Sequence, residues 1–177
     1  MISSSAVAVL IALACVGYVL MGCSHGANAA GTGNPAHATG SAPNAAMAVC
    51  DGRSLKPEDL AGILSAPITD TKPVPGDAQS CEFATAGFPA ITISIRPGLG
   101  RTTVDAWASG KMPLASSPLP GVGDAAVWQE ELREVIAQKN ALLCDIQVRT
   151  GGDDLALASS ALPAALGGLC NRIFAAY

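Results

Sequence analysis

Cysteine carries most of the chemistry in this chain. It occurs six times, at positions 15, 23, 50, 81, 144 and 170, while both histidines, His25 and His37, fall before residue 48. A thiol can take a lipid, hold a metal, act as a nucleophile or pair with another thiol. No Cys-x-x-Cys spacing is present, and no histidine after residue 37 could complete a zinc site, so no metal site and no cofactor is expected. Cys50, Cys81, Cys144 and Cys170 form an even set, which in an exported domain favours structural disulfides. Four cysteines allow three pairings.

Other chemical candidates are thinner. Serines are plentiful, but without a histidine after residue 37 a Ser-His-Asp arrangement is ruled out there. A Ser-Lys pairing has only Lys56, Lys72, Lys111 and Lys139 to draw on, with no local motif to support it. Glu130-Glu131 and Asp153-Asp154 are adjacent in sequence, so on a strand they point to opposite faces and make poor acid/base couples. The stretch GVGDAA, Gly121 to Ala126, lacks the lysine that would meet a phosphate, and it reads as a turn with positive φ. No enzyme is expected.

Cys23 has a separate reading. Ala6 to Met21 is an apolar run without charge, as long as a signal-peptide core and short for a membrane span. It ends in Leu20-Met21-Gly22-Cys23, which resembles the lipobox of bacterial lipoproteins, with Met21 and the uncharged MISSS as departures from the pattern. The resemblance implies cleavage before Cys23 and a diacylglycerol on its sulfur, and a multiply acylated cysteine anchors stably. Residues 1–22 are then the signal peptide. Residues 23–47 are the lipidated cysteine and a tether with no charge and no large apolar run, too poor in apolar surface to order itself.

All 24 charged side chains fall after residue 50, at a formal net charge of −4. With no basic stripe, nucleic acid is an unsuitable partner. Residues 48–177 are long enough for one core. Within them, SLKPEDLAGILSAP predicts a helix with Pro57 in its first turn, and ITDTKPVPGDAQS reads as a loop broken by Pro73, Pro75 and Gly76. SCEFATAG and AITISIRPG alternate as two strands, with Ile91, Ile93 and Ile95 inward. A helix capped by Thr102 follows, then a strand at 125–129 and a hairpin through LREVIAQKNALLCDIQVR. A terminal helix from about Ala161 shows a stripe of Leu162, Leu166, Leu169, Cys170, Ile173 and Phe174. Trp107 and Trp128 are read as core residues.

These elements predict an α+β domain: a single antiparallel sheet with helices on one face, in the order helix–hairpin–helix–strands–helix. On that arrangement the preferred pairing is Cys50–Cys81 with Cys144–Cys170. The first bond ties the entry of the first helix to the first strand, and the second ties a strand to the helix that packs on it.

With Cys50, Cys81-Glu82-Phe83, GVGDAA and a closing hairpin and helix in this order, the chain is similar to a family of small lipoproteins best known from actinobacteria, carrying a domain of unknown function. That resemblance itself implies the Cys50–Cys81 bond. It implies no activity. The expected role is a non-catalytic module that docks an envelope protein, held by lipid on the extracytoplasmic side of a bacterial membrane, or on the periplasmic face of the outer membrane where one exists. The alternative is a carrier or sensor holding a small apolar ligand among Ile91, Ile93, Ile146 and Phe174.

Overall fold

The computed structural model describes residues 49–150 and 154–177, all within one compact unit of the chain. The expected signal peptide, Cys23 and the expected tether lie outside the described residues. Seven strands form one antiparallel sheet: β1 (Ile68–Val74), β2 (Asp77–Thr85), β3 (Ala90–Pro97), β4 (Ser117–Pro118), β5 (Ala125–Gln129), β6 (Glu134–Lys139) and β7 (Leu142–Arg149). Their spatial order is β1-β2-β3-β7-β6-β5-β4, so β7 crosses back to lie beside β3. Among the described residues two α-helices accompany them, α1 (Gly100–Ala108) and α2 (Leu162–Ala176).

Period-two alternation sets the inner face. Ile91, Ile93 and Ile95 pair with Val148, Ile146 and Cys144 across the β3–β7 ladder, and on the other side of β3, Phe83 and Cys81 pair with Ile91 and Ile93. The stripe expected on α2 lands on this surface, with Leu162, Leu166, Leu169, Cys170, Ile173 and Phe174 all buried. Both expected disulfides are present, with Cα separations of 5.5 Å for Cys50–Cys81 and 5.8 Å for Cys144–Cys170. The second one staples α2 to the middle of β7.

Four expectations need correction. The helix expected over SLKPEDLAGILSAP shrinks to a single 3-10 turn, Pro57–Leu60, in which the Lys56 backbone N–H donates to the Asp59 carboxylate at 2.8 Å. Gly62, at φ +84, breaks the helical path. The backbone beyond it then finds other partners: Ser65 N–H donates to the Asp154 carbonyl and Ala156 N–H to the Ile63 carbonyl, both at 2.9 Å. The loop expected over ITDTKPVPGDAQS instead forms β1 and the start of β2. Pro73 is tolerated because β1 is an edge strand whose outer side needs no donor, and the ladder shifts register there.

The helices do not share one face. Outward-pointing Val127, Ile136 and Leu143 form a second apolar cluster with Val104, against which half-buried Trp107 packs. This patch draws α1 onto the side of the sheet opposite α2. Thr102 is not the cap of α1; the N-cap is Leu99, whose carbonyl accepts from the Thr103 hydroxyl at 2.9 Å.

Candidate functional site

The outer face beyond α1 is where polar chemistry gathers. Gln129 of β5 stands directly opposite Glu134 of β6, and Glu134 stands opposite Gln147 of β7. One step along, Asp145 lies between Ile136 and Ser94, and Ser94 faces Ser80. Every one of these side chains projects from the same face, because the pleat alternates with period two.

Two carboxyl groups meet there. Glu134 is 9% exposed and its hydrogen-bonding partner is Asp145, which is half-buried. Burial, then the Asp145 charge, pushes the Glu134 carboxyl up to about 8. Burial also raises Asp145, but the hydrogen bond from Glu134 and the nearby Arg96 guanidinium oppose the rise. Glu134 therefore keeps the proton and donates it to the Asp145 carboxylate.

The neighbouring charges are already committed. Arg96 pairs with Asp77 at 2.7 Å. The Ser80 hydroxyl donates to Asp77 at 2.7 Å, and the Ser94 and Ser80 hydroxyls lie 2.6 Å apart. Since Ser80 spends its proton on Asp77, Ser94 is the donor in that second bond. The Ser80 hydroxyl, the Gln79 backbone N–H and Arg96 together hold Asp77 below the usual carboxylate range. Gln129 has no such support. It is fully buried, and neither its amide oxygen nor its amide nitrogen has a hydrogen-bond partner.

A second feature lies at the end of the sheet where the β2–β3 and β5–β6 turns and the end of β7 come together. A cleft of about 500 Å³ is lined by Phe88, Glu130, Glu131, Leu132, Arg133, Val148, Arg149 and Thr150. Phe88 is 55% exposed. Arg133 adopts φ +50, closing a turn in which its N–H donates to the Glu130 carbonyl at 3.2 Å. Arg149 pairs with Glu82 across the face.

The residues picked out from sequence fall elsewhere. Ile91, Ile93 and Ile146 are fully buried in the main core with Phe174, which is 6% exposed. Phe174 also borders a surface cleft of about 280 Å³ with Leu142 and Tyr177. GVGDAA is a latch. Asn171 of α2 accepts from the Gly123 N–H and donates to the Gly121 carbonyl, both at 2.9 Å, while Asp124 accepts from the Asn140 N–H at 2.7 Å. Both glycines have positive φ, and a Cβ on Gly123 would lie 2.3 Å from the Gln138 carbonyl oxygen. The turn reading holds for these glycines.

Sequence reasoning weighed only acids that are neighbours in the chain, rejected them as couples, and missed Glu134 with Asp145, which are brought together only by the β6–β7 register. The available signal was the apolar character of Val127, Ile136 and Leu143 on the face expected to carry no helix, which showed that this face is covered. Among the described residues, no group of three or more His, Cys, Asp or Glu is placed to hold a metal, and no helix is long and apolar enough to cross a membrane. No protein-family model matches the chain, and no curated protein or solved structure matches it.

Proposed function

We propose that this chain is a lipid-anchored lipoprotein of the bacterial envelope, tethered through Cys23, whose α+β domain docks an envelope protein and performs no catalysis. One observation carries the docking reading: the cleft at the turn end of the sheet sets a half-exposed aromatic, Phe88, among charged side chains of both signs. An aromatic anchor ringed by polar groups is the usual make-up of an interface hot spot. Anchorage supports it, because a tether keeps the domain at high local concentration near other membrane-bound proteins. The lipobox and the family likeness supply the address.

The test is photo-cross-linking in living cells, with the reactive group placed at position 88 and, as control, at position 101 on α1. A discrete adduct with one envelope protein from position 88, absent from 101 and lost when Glu130 and Glu131 become lysine, is the expected result. Equal adducts from both positions, or none from position 88, would overturn the docking site. The anchor is tested separately: labelled palmitate enters the native chain and not Cys23→Ala. Labelling of both would remove the lipoprotein reading.

A further inference from the structure

The buried polar row on the outer face contains more negative charge than its partners neutralise. Asp145 lies within electrostatic reach of three groups, the Glu134 and Asp77 carboxyls and the Arg96 guanidinium, and Arg96 is paired with Asp77. With every group ionised, three negative charges face one positive, an excess of two. The other charges near this face are already paired with one another: Lys72 with Asp70 and Glu82, Arg149 with Glu82, and Arg101 with Asp105 on α1. One shared proton between Glu134 and Asp145 removes only half of that excess.

Gln129 provides an independent observation. Its side chain is fully buried with both amide atoms unpartnered, and it stands on the outer face directly opposite Glu134. Side chains so placed start about 5 Å apart. Buried polar side chains are normally hydrogen-bonded, so an unpartnered buried amide calls for a partner such as a water or an ion to complete it. An amide oxygen has no use for another carboxylate; it suits a cation.

We infer that Glu134, Asp145 and the amide oxygen of Gln129 form a site for one hard divalent cation of the calcium class. The donor set is oxygen throughout, which selects calcium or magnesium over softer metals. Three rigid strands, β5, β6 and β7, present the donors, and a double positive charge cancels the excess of two. The carboxyl–carboxyl contact is then the arrangement these acids adopt with a proton in place of the ion. This departs from the metal-free expectation drawn from sequence, where the third donor, a glutamine, carried no ligand signature. Three protein donors with Arg96 nearby make a weak site, with a dissociation constant of about 0.1–1 mM, the range of extracellular calcium modules.

The experiment is thermal unfolding of the full chain in detergent at pH 7.5, in EDTA and in 10 mM calcium chloride, with calorimetric titration to count ions. Calcium is expected to raise the Tm of the native protein by about 3–6 °C at one ion per chain. The shift should vanish in Glu134→Gln and Asp145→Asn, shrink in Gln129→Met, and persist in Glu130→Gln, a neighbouring exposed acid. Gln129→Met keeps both carboxylates and so reports on the site even if an acid variant folds poorly. No calcium shift in the native protein overturns the site, as does a shift that survives in both acid variants. A Tm indifferent to calcium but dependent on pH only while Glu134 is present would assign the pair to proton sharing instead.

Discussion

The two faces of the sheet solve the burial problem differently. On the inner face, Phe83, Ile91, Ile93 and Ile146 meet Leu166, Leu169 and Ile173 with no polar side chain among them, and Cys144–Cys170 fastens the helix in place. On the outer face, Val127, Ile136 and Leu143 occupy one end under α1, while buried Glu134 and Gln129 and half-buried Asp145 lie alongside them. Apolar contacts are indifferent to conditions such as pH, whereas buried ionisable groups are sensitive to every proton and ion. The inner face therefore gives the domain its stability, and the outer face makes that stability responsive.

The largest expected effect tests that responsiveness. In EDTA, the Glu134 carboxyl binds its proton up to about pH 8 in the folded protein, against an ordinary value of 4.5. The folded state then holds more protons than the unfolded one across that interval, so stability falls as pH rises from about 4.5 through 8 and levels off above. At 1.4 kcal/mol per pH unit the loss has a ceiling of about 5 kcal/mol. Urea unfolding at several pH values should show this slope in the native protein and not in Glu134→Gln; an unchanged slope in the variant would break the contrast between the faces.

The inner face should be insensitive to pH but intolerant of lost volume. Phe83→Ala removes a fully buried ring and should cost about 4 kcal/mol at every pH. Replacing Cys144 and Cys170 together by alanine opens a loop of 26 residues and should cost about 3–4 kcal/mol, read as a lower urea midpoint. Gly123→Ala should cost about 2 kcal/mol, since the added methyl meets backbone and the φ of +55 is unfavourable to any side chain with a Cβ. At the small end, breaking the exposed Arg101–Asp105 pair, 3.2 Å apart one helical turn from each other, should shift stability by only about 0.3 kcal/mol. A change above 1 kcal/mol there would mean that α1 depends on more than its apolar side.

Some of this was legible residue by residue. The alternation of ITISI and of LLCDIQV fixed which side chains face inward, because a strand has only two faces. The spacing of leucines from 162 to 173 fixed the buried side of α2, because a helix has one repeating stripe. The glycines of GVGDAA announced positive φ, and four cysteines placed on expected elements pointed to the two bonds that form.

Where the reading stopped, the cause was tertiary. Pro73 looks like a loop residue until β1 is known to be an edge, where a missing donor costs nothing. Lys56 to Pro67 has the composition of a helix, yet its backbone bonds to residues 154 and 156, partners about 90 residues away that no local pattern can show. The side taken by α1 depended on three outward apolar residues contributed by three separate strands. The meeting of Glu134 with Asp145, and the isolation of Gln129 beside them, depended on register and cover together. Sequence determined the periodicities and the covalent ties, since those are local or nearly so; only the folded sheet decided which buried polar groups are left facing one another, because that is a property of neighbours that the chain brings together from a distance.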